Sequence, residues 1–165
     1  MRFWKWMITL ALALAVLTGC GSRDPGAARE VDLQVFFMEL QDEFDWDEGY
    51  LADIEGEMLE SYYTDLSDLP VKQFIAKAPM MSAVVNELVF LQCENEEDAE
   101  KAAEILQERI DYQVGDDTNP GGAWYPEAIE SWKKAQVIRR GTYVAMIASA
   151  EHQAEIVEDF NDLFD

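Results

Sequence analysis

The sequence predicts an α+β domain: an antiparallel sheet of about four strands in two hairpins, covered by helices on one face and preceded by a pair of helices. Three observations carry this. The stretches 71–93 and 135–148 are rich in Val, Ile, Phe and Tyr and are interrupted by turn signals at Pro79 and Gly141, as two-stranded units are. Each is followed by a segment whose apolar residues recur at helical spacing. A hydrophobic content of 49% is too high for a disordered acidic chain, so a packed core is expected.

Taken in order, Leu33, Phe36, Phe37, Leu40 and Phe44 lie on one helical face and predict a helix over 30–44. Leu51, Ile54, Met58 and Tyr62 repeat the pattern and predict a second helix ending near Tyr63. Residues 71–78 read as a strand, with Val71, Gln73, Ile75 and Lys77 on one face and Lys72, Phe74 and Ala76 on the other. Residues 84–93 form its partner. Asn95 is placed to cap the next helix, with Asp98 three residues on, and its core face is Ala99, Ala102, Ala103, Leu106 and Ile110. Residues 116–122 are loop by composition, and 125–134 form a short helix. A hairpin of 135–139 and 142–148 turns at Arg140-Gly141, where glycine supplies positive φ. Ser149 then caps a last helix with the face Ile156, Val157, Phe160, Leu163 and Phe164.

The first nineteen residues read as an export signal. Arg2 and Lys5 precede the apolar run from Met7 to Val16, which is too short to span a bilayer of about 20 residues' thickness. Leu17-Thr18-Gly19-Cys20 resembles a bacterial lipobox. That resemblance implies cleavage before Cys20 and a diacylglyceryl anchor on its thiol, with two acyl chains giving stable attachment. A plain secretory signal or an N-terminal membrane helix is the alternative. Residues 20–29 have the composition of a tether, and 30–165 would form one extracytoplasmic domain on the outer face of the cytoplasmic membrane.

The chain carries 34 acidic and 12 basic residues, a formal charge of −22. Without a basic surface to displace phosphate counterions, nucleic acid is excluded as a partner. Two cysteines and one histidine exclude a zinc site or a disulfide framework, and no cofactor motif is present.

Each group of residues that invites chemistry has a plain alternative. The segment from Asp42 to Gly49 suggests a calcium loop, but with Glu43 in first place Glu48 falls where an EF-hand needs glycine and Ile54 where it needs glutamate; a solvated acidic loop fits better. Glu94, Glu96, Glu97, Asp98 and Glu100 gather at a predicted helix N-terminus, where the dipole alone favours them. Cys93 and His152 follow corresponding strands, so a Cys–His pair is conceivable, against a buried, inert thiol. Lys133, Lys134, Arg139 and Arg140 collect the basic charge into a patch that could steer a partner, or simply be solvated. The loop from Gly121 to Pro126 presents Trp124 and Tyr125, whose faces could stack on sugar rings or anchor a protein, or fold back on the sheet.

Ala78-Pro79-Met80-Met81-Ser82-Ala83, Glu87-Leu88-Val89-Phe90, the helix reaching Arg109, Tyr125-Pro126 and Gly141-Thr142-Tyr143-Val144, in that order, resemble the bacterial lipoproteins of the domain of unknown function 4358 family, over about residues 31–164. The family commonly has Asn after the hairpin glycine, where this chain has Thr142. The resemblance implies lipidation and the extent of the domain, and no activity. The expected function is a non-enzymatic binding or accessory module for a protein, peptide or cell-wall ligand, with Trp124, Tyr125, Arg139 and Arg140 as candidate partner-binding residues. The alternative is an extracytoplasmic hydrolase using surface carboxylates; no catalytic or metal-binding residue stands out.

Overall fold

The computed structural model describes residues 30–47, 49–81 and 84–165. Cys20 and the predicted signal and tether lie outside them. The element order is α1 (Leu33–Glu43), β1 (Leu51–Asp53), α2 (Glu57–Tyr62), a 3-10 turn (Leu66–Asp68), β2 (Val71–Pro79), β3 (Asn86–Cys93), α3 (Glu96–Val114), α4 (Pro126–Trp132), β4 (Gln136–Arg140), β5 (Tyr143–Ser149) and α5 (Gln153–Asp162). No helix among the described residues is long and apolar enough to cross a membrane.

The α+β class and both predicted hairpins are present, in a five-stranded antiparallel sheet of order β1-β2-β3-β5-β4. The extra strand comes from the predicted second helix. Leu51, Ala52 and Asp53 pair with Pro79, Ala78 and Lys77, and the Ile54 N–H continues the ladder to the Ala76 carbonyl at 2.9 Å. Gly56, at φ 57°, breaks any helix there, so α2 begins only at Glu57. Gly141, at φ 60°, makes the second hairpin turn together with Thr142, one residue later than expected.

Helices cover both faces of the sheet, not one. Val89, Leu91 and Cys93 of β3 and Val144 and Met146 of β5 pack with Ala99, Ala102, Leu106 and Ile110 of α3 and with Ala128 and Trp132 of α4. The alternate residues Leu88, Phe90, Tyr143, Ala145 and Ile147 pack against α1 and α5 through Phe36, Phe37, Leu40, Ile156 and Phe160. Every residue of β3 and β5 is buried, because each central strand has an apolar layer on both sides.

The caps are local hydrogen bonds. Asp32 Oδ1 accepts from the N–H groups of Gln34 and Val35 at 3.0 and 3.1 Å, and Asn95 Oδ1 accepts from Asp98 N–H at 2.9 Å. Before α5, the Ser149 hydroxyl accepts from the His152 N–H at 3.2 Å, while Gln153 reaches back to the Ser149 N–H at 2.9 Å. The cap position itself falls on His152, three residues beyond the serine that the sequence suggested.

Candidate functional site, an aromatic-rimmed cleft over a buried ion pair

An open cleft of about 860 Å³ lies at one end of the sheet. Its walls are the end of β2 (Ala78, Pro79, Met80), the start of β3, α2, the C-terminal turns of α3 and the loop that leads into α4. Strand alternation puts Glu87 on the α3 face of the sheet, at the bottom of the cleft, and the last turns of α3 bring Arg109 down onto it.

Glu87 and Arg109 form a bidentate ion pair. Arg109 Nε donates to Glu87 Oε1 at 2.8 Å and Nη2 donates to Oε2 at 2.9 Å, with both side chains 7% exposed. The Tyr63 hydroxyl donates a third hydrogen bond to Glu87 Oε1 at 2.5 Å. Burial, reinforced by the neighbouring carboxylate, holds the Tyr63 phenol well above its ordinary ionisation range. The guanidinium carbon sits 3.8 Å from the centre of the Tyr62 ring and 5.7 Å from that of Trp132, so aromatic faces enclose the cation as well. Two opposite charges are thus buried with their hydrogen bonds met, the condition under which such burial is tolerated.

The rim is built differently. The α3 helix ends at Gly115, and the loop folds back so that the Gly122 and Ala123 N–H groups donate to the Tyr112 and Gln113 carbonyls at 2.8 and 3.1 Å. This approach requires glycine: at Gly115, with φ 69°, a methyl group would lie 2.5 Å from the Asn119 carbonyl oxygen. Asp116 holds the loop tip by accepting from the Thr118 hydroxyl, the Thr118 N–H and the Asn119 N–H, which lowers its pKa. The result is Trp124 projecting at the mouth, 89% exposed, with Tyr125 beside it and Met80 across the cleft at 81%.

Of the residues proposed from sequence, Trp124 and Tyr125 therefore stand together on this site. Arg139 and Arg140 do not. They flank the Gly141 turn, with Arg140 donating to Asn161 and Arg139 3.9 Å from Glu96, at the opposite end of the sheet. Cys20 lies outside the described residues. Cys93 and His152 are not brought together: Cys93 is buried on the α3 face, where burial pushes its thiol up to about 11, whereas His152 stacks on Phe44 at 4.2 Å on the α1 side. The described residues hold no group of three or more His, Cys, Asp or Glu placed to bind a metal. Within the cleft, the carboxylates of Glu87 and Asp53 are both engaged, the latter by Lys77 at 2.7 Å.

Sequence reasoning missed the floor. Its signal was available: Glu87 interrupts an apolar strand, and Arg109 falls on the face set by Ala99, Ala102 and Leu106. Opposite charges at two core positions imply one another, because neither is tolerated there alone.

The fold and cleft define a compact antiparallel α+β domain with one open, aromatic-rimmed recess. The chain belongs to the family described as Domain of unknown function (DUF4358), whose model matches residues 45–149. That span contains every cleft-lining residue and omits α1 and α5. Three of the runs that carry the family resemblance meet at the cleft, through Ala78–Met80, Glu87 and Tyr125, together with Arg109. No curated protein and no solved structure gives a match.

Proposed function

We infer that this chain is a lipid-anchored, extracytoplasmic binding module, held through Cys20 on the outer face of a bacterial cytoplasmic membrane, and that its ligand occupies the cleft under Trp124. One observation carries the inference: a large aromatic side chain is held almost fully exposed at the rim of a recess by a loop whose backbone is fixed at both ends. A Trp at the rim of a recess offers a large rigid face, and such residues dominate binding where a partner covers them.

The chemistry of the floor supports binding over hydrolysis. A general acid or base must be free to exchange a proton with substrate. Glu87 accepts three hydrogen bonds from Arg109 and Tyr63, so both of its oxygens are held by protein donors. The trio is best understood as a rigid base that fixes the cleft's shape. Anchoring is supported by the lipobox and the export signal in the sequence.

The test is a thermal-shift screen of the chain against divalent cations, wall muropeptides, sugars and short peptides. A ligand present at 100 times its dissociation constant stabilises by about 2.7 kcal/mol. The expected result is a saturable rise with one class, lost in Trp124→Ala. A rise that survives Trp124→Ala moves the site elsewhere, and turnover of any panel member refutes the non-enzymatic role. For the anchor, Cys20→Ser should move the protein from the membrane to the soluble fraction of cells that express it.

A further inference from the structure

We propose that the occupant of the cleft is a basic segment of polypeptide, one that presents a Lys or Arg side chain to the aromatic rim. The proposal rests on the binding role given above and specifies its ligand. The argument is charge complementarity. Within the stretches that wall the cleft, 51–63, 78–87 and 108–134, eleven acidic residues stand against three basic ones. Arg109 is paired with Glu87, Lys133 with Glu130 at 2.7 Å and Asp53 with Lys77 at 2.7 Å, which leaves eight acidic residues against Lys134 around the cleft rather than on its floor. An anionic ligand would find its one buried cation neutralised and would approach through a negative field. A cationic ligand is drawn in by that field and finds exposed ring faces at Trp124, Tyr125 and Tyr112, to which ammonium and guanidinium groups are attracted.

The remaining lining suits a peptide more than a sugar. Met58, Met80 and Val84 place pliable apolar side chains beside the aromatic ones, and thioethers adapt to side chains of varied shape. The cleft is open, and its wall includes Ala52 and Asp53 of β1, an edge strand that pairs only with β2. An extended segment can therefore lie along the recess with its apolar residues on the methionines and its cation at the rim.

The experiment titrates the full chain, in uncharged detergent, with the labelled peptides acetyl-Leu-Lys-Leu-Lys-Leu-amide and its Gln and Glu counterparts, and with a chito-oligosaccharide. The Lys peptide is expected to bind at least about tenfold tighter than the Gln peptide, and the Glu peptide least of all. Trp124→Ala should weaken the Lys peptide about fivefold or more with an unchanged melting temperature. Two charge-matched variants separate the cleft from diffuse attraction to an acidic surface. Glu57→Gln with Glu127→Gln, on α2 and α4, should weaken binding, and Glu155→Gln with Glu158→Gln, on α5, should not. Equal weakening by both pairs, or equal affinity for the Lys and Gln peptides, overturns the proposal. Trp124-dependent binding of the oligosaccharide alone overturns it while leaving the binding role intact. If neither these probes nor any member of the wider ligand panel binds, both fall.

Discussion

Arg109→Met isolates the energetics of the cleft floor. The substitution keeps an unbranched apolar side chain between Tyr62 and Trp132 but removes two hydrogen bonds, of 2.8 and 2.9 Å, and the only positive charge on Glu87. Removing one partner of a buried pair costs about 3–5 kcal/mol, because the other charge stays buried and uncompensated. Here the lower end applies, since Tyr63 still donates to the carboxylate and the open cleft admits water. A loss of about 3 kcal/mol lowers the melting temperature of a domain this size by about 10 °C. The double variant Glu87→Gln with Arg109→Met removes both charges and should recover to within about 1 kcal/mol of the parent. Urea denaturation at pH 7, followed by circular dichroism, measures all four corners of the cycle. If Arg109→Met costs less than about 1 kcal/mol, or if the two single losses simply add in the double variant, the floor is not a coupled ion pair and the reasoning fails.

The remaining predictions concern neighbouring features. Gly115→Ala should cost about 1–3 kcal/mol, from a left-handed backbone and a methyl against the Asn119 carbonyl; Gly49→Ala, where nothing lies within 4 Å, should cost less in the same melting experiment. Cys93 should resist a thiol reagent at pH 8 in the folded chain and react once unfolded, because burial raises its thiol from 9.0 to about 11 and seals it from solvent. Tyr63 binds its proton more tightly folded than unfolded, so its contribution to stability is complete below 10.0 and is lost as the pH rises toward its higher folded value. Parent and Tyr63→Phe melting temperatures should therefore converge in alkali, and a constant gap from pH 8 to 12 would contradict that linkage.

How legible the molecule was follows from how local each signal is. Residues 71–78, 84–93 and the Gly141 hairpin were readable because alternation, a closing proline and a turn glycine act over a few residues. The second layer of helices had a signal that was passed over: Leu88-Val89-Phe90-Leu91 and Val144 to Ala148 are apolar without alternation, as strands buried on both faces must be. Residues 51–54 carry apolar spacing that fits a helix, and only pairing with the distant end of β2 makes them a strand. Trp124 and Tyr125 were found because exposed aromatic residues beside glycines stand out in a sequence. Glu87, Arg109 and Tyr63 were not, because they are spread over 46 residues and only the folded sheet and α3 bring them together.

The described chain joins the sheet at a definite place. The Val31 N–H donates to the Tyr143 hydroxyl at 3.0 Å, and Gln73 clasps the Val31 carbonyl and the Leu33 N–H, each at 2.8 Å. Tyr143 pairs with Gln92, at the far end of β3 from Glu87, five residues or about 17 Å along the strand. For a chain leashed at Cys20, the eleven residues 20–30 reach at most about 40 Å from the lipid. On the proposed anchor at Cys20, the chain would enter the domain at the end that bears Arg139 and Arg140. That entry point and the floor of the cleft sit at opposite ends of β3, so a ligand in the recess and the start of the described chain do not compete for one surface.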